Sequence, residues 1–456
     1  MAATSPKILR PMTRENARAQ LLGTLLALSV PTMLEEMLAT LLQYVDTAMV
    51  GRLGERATAA VSITTTINWL VGSMAGAIGM AILAMISRAV GSGDKGRIQS
   101  LSKQALFLAT GCGAVTGSIC LILSPFIPVW MGAEKAIQAQ ASTYFFIISL
   151  PMIFRAWTTI LGASIRATQN TRTPMLISMT ANCLNVALNY ILIYKVNMGV
   201  TGAAVASALS YSVSGILMFA AYRRMKLLRW PWREFSVELP LLRECAGIGV
   251  PVLGTSMTSC MGHVVFAGLV SGMGTTIFAA HSIAVTAETI FYIPGYGLRT
   301  ATSALVGAAL GEKNQRKLKD TGSLSVFLTV FLMCISGLIL FFTAYPLMCL
   351  FTPSEEVASL GAKMLRLVAL SEPFFGLMIV LEGIFYGLGR TKYAFWVESF
   401  SMWGIRIFFT FLCVKVWKLD LRAVWYCMIA DNVFKSLLFV LPVATRKRRD
   451  RIFSVG

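Results

Sequence analysis

The sequence predicts an all-α integral membrane protein with twelve transmembrane helices in two six-helix lobes, related by a parallel internal repeat. Three observations carry this. Of 456 residues, 56% are hydrophobic and only 13% charged, with a mean hydropathy of +0.69; an average soluble domain is roughly 45–50% apolar and ~25% charged. Apolar runs longer than the ~18 residues of a membrane-spanning helix recur from Leu25 to Val443 with short polar breaks. The chain also matches itself at an offset of 220 residues. No stretch is left to build a separate soluble domain, so soluble enzymes and nucleic-acid binders are excluded at the outset.

Taken in order, the spans fall near 25–50, 57–88, 104–128, 140–167, 174–195, 199–222, 245–269, 277–309, 322–350, 362–388, 393–414 and 422–443. The segment MAATSPKILRPMTRENARAQ before the first is polar and basic without an early cleavage site, so the first run is expected to remain as a span. The 40 Lys and Arg test the count: 27 fall on the N-terminus, alternate loops and the tail after Val443, nine on the opposite side, and four inside spans (Arg155, Arg299, Arg406, Lys435). By the positive-inside rule both termini are cytoplasmic, and the net charge of +19 is a topology signal rather than a nucleic-acid surface. Nine Cys lie almost entirely within apolar runs with no C-x-x-C, and the two His (His263, His281) form no H-E-x-x-H; buried thiols and no metal site are expected. The absence of an N-x-S/T sequon favours a bacterial or archaeal source.

At the 220-residue offset Val30 and Pro31 fall on Val250 and Pro251, Gly54 on Gly274, Ser62 and Ile63 on Ser282 and Ile283, Gly91 on Gly311 and Gly117 on Gly337. The offset holds six spans, an even number, so the halves share one orientation and an axis along the membrane normal. The domains follow: an N-terminal lobe over 1–222, a cytoplasmic connector over 223–244, and a C-terminal lobe with a basic tail over 245–456.

YVDTAMVGRLG at 44–54, AVGSGDKGRIQ after the second span, CLNVALNYILIY at 183–194 followed by MGVTGAAVASAL, and the second-half segments AAHSIAVTAETIFYIPGYG and LVGAALGEKNQRK make the chain resemble the multidrug and toxic compound extrusion (MATE) family of prokaryotes, over about residues 20 to 445. That resemblance implies twelve helices around a central cavity, and export of cationic or amphipathic compounds driven by inward proton or sodium movement.

A charge at mid-bilayer costs ~2.5–3.5 kcal/mol on insertion scales, so in-span ionisable residues are the functional candidates. Glu35 and Asp46 on the first helix are eleven residues apart, three turns plus ~20°, on one face about 16 Å apart; Glu36 points ~80° away from Asp46. The resemblance places Asp46 at an aspartate that takes part in cation coupling; the plain alternative is a cap near the outer end, and for Glu35 a hydrogen-bonded structural acid. Asn182, Asn185 and Asn189 form an i, i+3, i+7 polar stripe on the fifth helix, facing a neighbour or a cavity. One branch of the family carries an aspartate where this chain has Asn189. Glu288 stands with Tyr292 and Tyr296 at i, i+4, i+8, its repeat mate is Asn68, and Pro294 is expected to loosen the helix there. The family's sodium-driven branch carries acids in the seventh and tenth helices; the seventh here has none and Glu382 of the tenth does not align with that acid, which leaves Glu288 as the C-lobe candidate, the plain alternative being a structural Glu hydrogen-bonded to a neighbouring helix. Asp431 and Lys435 read as a neutralised i, i+4 pair.

The expected function is therefore a proton- or sodium-coupled antiporter with no catalytic residues and no cofactor beyond the coupling ion. It would be a monomer in the plasma membrane handling small organic cations, with no nucleic-acid partner. A flippase for a lipid-linked saccharide or polyprenyl carrier is the alternative, and its cavity should be strongly basic.

Overall fold

A computed structural model describes residues 14–231, 233 and 235–444, and among these every regular element is helical. Ten helices are long and apolar enough to cross a membrane unbroken, and two bent pairs bring the crossings to twelve. They are α1 (Arg14–Gly51), α2 (Glu55–Ser92), α3 (Lys95–Leu123), α4 (Lys135–Ser149 with Met152–Ala167), α5 (Arg172–Lys195), α6 (Gly199–Arg224), α7 (Leu239–Ser271), α8 (Thr275–Gly311), α9 (Gln315–Phe351), α10 (Glu355–Ala369 with Glu372–Gly387), α11 (Thr391–Val416) and α12 (Leu421–Ala444). Helices are required here because lipid offers no partner for a bare backbone N–H or C=O.

The repeat is visible in the turns. Gly54 and Gly274, the residues before α2 and α8, hold φ of 103° and 124°, where a side chain is disfavoured. Asp94 and Asn314 each cap the next helix by accepting from a backbone N–H three residues on, Arg97 and Lys317. The breaks match too: α4 bends by 56° between Ser149 and Met152, and α10 by 56° between Ala369 and Glu372. The sequence predicts one unbroken span at each place; each is a single crossing made of two helices that meet at an elbow. Gly117 of α3 packs on Met152, and Gly337 of α9 on Ala369 and Glu372, so a small residue on the adjacent helix admits each elbow. Pro294, by contrast, does not break α8, nor do Pro31 and Pro251 break α1 and α7.

The halves meet through α1 and α2 on one side and α7 and α8 on the other. Near the 93–94 and 312–314 turns the contact is backbone on backbone: a Cβ added to Gly91 would lie 1.9 Å from the Ala308 carbonyl oxygen, and one added to Gly311 1.9 Å from that of Arg88. The two contacts are repeat mates. At the same end Arg18 pairs with Asp320 (2.7 Å) and Arg97 with Glu244 (2.8 Å), and Arg88 donates to the Leu388 carbonyl (3.2 Å). The first half supplies every donor and the second every acceptor among these three. We therefore expect Gly91→Ala to wedge this end apart: a cysteine placed at Leu83 should then be labelled from the 93–94 side, and unchanged labelling would mean that the seal lies elsewhere.

The connector after α6 folds onto α3 rather than hanging free. Ser102 donates to the Leu228 carbonyl (2.6 Å), Gln104 to that of Ser236 (2.8 Å) and Gln99 to that of Arg229 (3.2 Å), while Trp230 is buried beneath the Arg223 guanidinium. All nine cysteines are free thiols; Cys183, Cys334 and Cys349 are exposed, against the expectation of burial, on outward helix faces.

Candidate functional site

Between the halves lies a cavity of about 1120 Å³. Its lining runs from Thr32 to Gln43 on α1, Thr65 to Leu83 on α2, Val252 to Ala267 on α7 and Phe278 to Thr300 on α8, stopping short of the glycine seal. It therefore points toward the 51–54 and 272–274 turns. Its walls combine aromatic and small side chains with five acids (Glu35, Glu36, Glu288, Glu382, Glu398) and five bases (Arg155, Arg166, Arg299, Arg406, Lys435).

Most of these charges are paired across helices. Arg166 of α4 donates to both oxygens of Glu35 (2.7 Å each), and Ser178 of α5 donates to the same carboxylate (2.7 Å). Glu35 is thus an ion-paired acid, and Arg166, which the sequence reading counted as a loop charge, is its partner. Arg299 meets Glu382 (2.9 Å), which also accepts from Tyr386 (2.5 Å). The expected Asp431–Lys435 pair is present (3.2 Å) within a larger cluster: Arg406 holds Asp431 (2.9 Å), Ser401 donates to it (2.5 Å) and Lys435 also binds Glu398 (2.8 Å). Buried charges need such partners, because removing one strands the other in a low-dielectric interior.

Asp46 and the asparagine stripe lie outside the cavity, within the first half. Asn189 of α5 donates to Asp46 and to the side-chain Oδ1 of Asn185 (3.1 Å), and Asn185 donates to the Ser207 hydroxyl of α6 (3.3 Å). Asn182 is half-buried and makes no hydrogen bond among the described residues. Glu35 and Asp46 share the face toward α5, as their spacing predicts, and their partners Ser178 and Asn189 are likewise eleven residues apart. Asp46 forms no ion pair among the described residues.

Glu288 sits in the cavity wall, 1% exposed, beside Glu372 at the elbow of α10, also 1% exposed, and none of their four carboxylate oxygens has a hydrogen bond in good geometry. Tyr292 stacks on Phe375 with ring centroids 4.3 Å apart. Glu372 is one of two in-span acids that the sequence puts on the tenth helix, with Glu382, and nothing in its spacing points to Glu288 as a neighbour. Glu36, which points away from Asp46, is exposed to the cavity and forms no ion pair among the described residues, with Glu35, Arg166 and Arg299 as its charged neighbours.

Twelve crossings, two halves that repeat each other's turns and elbows, and a charge-lined cavity sealed at one end define a multi-pass membrane transporter. The MatE family signature matches twice, over residues 31–191 and 251–412, so that the two matches begin 220 residues apart. The chain belongs to the MatE family, whose members are transporters and not enzymes. It is 27% identical over 451 residues to a probable multidrug resistance protein NorM of Thermotoga maritima, covering 95% of this chain and 96% of that one. It is 25% identical to the multidrug resistance protein PmpM of Pseudomonas aeruginosa over 84% and 82% of the two chains. Solved structures with the same fold include a MOP superfamily transporter of Pyrococcus furiosus (TM-score 0.89, 22% identity, 98% and 99% covered) and a mutant of the Vibrio cholerae MATE transporter VcmN (TM-score 0.90, 18% identity, 96% and 99% covered).

Proposed function

We propose that this protein is a proton- or sodium-coupled antiporter that exports cationic or amphipathic compounds from the cytoplasm by alternating access of its two halves. The observation that carries the reading is that four in-span acids, Asp46, Glu288, Glu372 and Glu36, form no ion pair among the described residues, whereas Glu35, Glu382, Glu398 and Asp431 each have a basic partner. An unpartnered carboxylate in a low-dielectric site takes up a proton or a metal cation, and two adjacent ones cannot both stay bare. Uptake at these acids and binding of a cationic compound at the cavity then compete for negative charge. The names of the relatives, multidrug resistance proteins, agree with that substrate class. The balanced charge of the cavity speaks against the flippase alternative, which calls for a basic wall to hold pyrophosphate. We place the protein as a monomer in the plasma membrane with both termini cytoplasmic, so that the sealed end faces the cytoplasm.

Export from proteoliposomes under a proton gradient alone, then a sodium gradient alone, tests the coupling; transport indifferent to both would sink it. For the orientation, a single cysteine at exposed Asp94 should be labelled only from the cytoplasm and one at exposed Glu134 only from outside. A third site, Asp450, lies outside the described residues. Reversed labelling at either of the first two would overturn the assignment.

A further inference from the structure

A second hollow lies on the lipid side of the first half, apart from the central cavity. α1 turns Thr32 and Glu36 to the cavity, and a different face to a furrow of about 560 Å³ between α1 and α5. Ala27 and Pro31 form its floor, Val30 and Leu34 one bank, and Met175 and Leu176 the other. Val30, Leu34 and Leu176 are 40–52% exposed, so the furrow opens sideways to the bilayer.

A base stands near one end of it. Arg172, the first residue of α5, is exposed at the furrow and makes no hydrogen bond or ion pair among the described residues. α1 and α5 run parallel, since Glu35 meets Ser178 and Asp46 meets Asn189, so Arg172 stands level with Ser29 and the two banks continue from there toward Leu34. The 168–171 turn before Arg172 is two crossings on from the 93–94 turn and hence on the sealed side. The repeat shows that the seam can be closed by the chain itself. Between α7 and α11 the Phe395 ring lies across it, 2.8 Å from where a Cβ on Gly254 would stand. The first-half mates of these two residues are Met175 and Leu34, and between them the furrow stays open.

We propose that this furrow holds one anionic phospholipid of the sealed-side leaflet, with an acyl chain between α1 and α5 and the phosphate on the Arg172 guanidinium. An apolar furrow alone selects nothing in a bilayer, where hydrocarbon is as good a neighbour to leucine as leucine itself. The base supplies the choice. A guanidinium offers a phosphate two N–H donors side by side, and a long side chain at a helix end reaches to headgroup level. A headgroup of net negative charge leaves that contact uncontested, whereas the ammonium of a choline lipid repels the arginine that its phosphate attracts. The chain backs α1 one turn from the Ser178–Glu35 contact, and so supports the cavity wall from outside. The inference does not depend on what the cavity carries.

The test is native mass spectrometry of the purified full chain in mild detergent, titrated with phosphatidylglycerol and, separately, with phosphatidylcholine of the same chains. The first phosphatidylglycerol should bind more tightly than the first phosphatidylcholine. Arg172→Gln should weaken it about tenfold, as for loss of one charge-assisted contact, and Ala27→Phe, which sets a ring on the floor of the furrow, should abolish it. Both positions are exposed, so neither change disturbs packing. Lys392→Gln, at the repeat mate of Arg172 beside the closed seam, should leave binding within about twofold of wild type. Unchanged binding in Arg172→Gln or in Ala27→Phe, equal weakening in Lys392→Gln, or no preference for phosphatidylglycerol would overturn the assignment. Displacement of the lipid by glycerol phosphate without chains would also overturn it, by showing a plain anion site.

Discussion

Asp431→Asn is expected to lower the thermal midpoint of the purified protein and its yield in the membrane more than any other single neutralisation. Asp431 is fully buried and is the acid that joins Arg406 of α11 to α12, with Ser401 donating to its other oxygen. Asparagine keeps the shape and removes the charge. Among the described residues Lys435 retains Glu398, but Arg406 is left with a long contact to the Asn432 side chain (3.4 Å) and the Phe266 ring face (5.7 Å to its centroid). Stranding a buried partner typically costs ~3–5 kcal/mol. Glu35→Gln belongs to the same class with a smaller effect, since the side chains of Glu35 and Arg166 are 13% and 18% exposed and can draw on cavity water. Its pairing with Arg166 thus makes Glu35 the structural acid that the sequence left open as an alternative. An Asp431→Asn protein as stable as wild type would show that the cluster does not hold α11 against α12.

Asp46→Asn should do the reverse, stopping gradient-driven export while leaving the thermal midpoint unchanged. Among the described residues its carboxylate has the Asn189 amide as partner and no base, so neutralising it strands none of these and lifts a charge cost of order 2.5–3.5 kcal/mol. The measurement is export rate against an imposed proton or sodium gradient, alongside melting in the same detergent. Export at the wild-type rate with unchanged proton and sodium dependence would remove Asp46 from coupling and leave Glu288 with Glu372 as the coupling acids. A folded but inactive Asp46→Asn, with Glu288→Gln still active, would place coupling in the first half alone.

Much of the architecture was legible because the bilayer imposes it residue by residue. Twelve crossings, their order, the 220-residue repeat and the glycine turns at 54 and 274 follow from apolar run lengths, spacing and the need for positive φ, all local properties. The eleven-residue spacing of Glu35 and Asp46 correctly set them on one helix face, because a helix fixes the angle between its own residues.

What the sequence could not decide is which helix that face meets. Arg166 lies 131 residues from Glu35, Glu382 lies 83 from Arg299, and Asp320 lies 302 from Arg18. Each partnership depends on how two helices are rotated and how deep each sits, and neither quantity is encoded within a single span. Hence the division of acids into paired and unpaired, the exposure of Glu36 to the cavity and the placing of Glu372 beside Glu288 emerged only with the tertiary structure. The elbows in α4 and α10 escaped for a related reason. Pro151 and Pro373 are visible in the sequence, yet Pro31, Pro251 and Pro294 sit inside unbroken helices. Whether a proline marks a bend depends on the packing around it, here the glycines of α3 and α9 that leave room for each elbow.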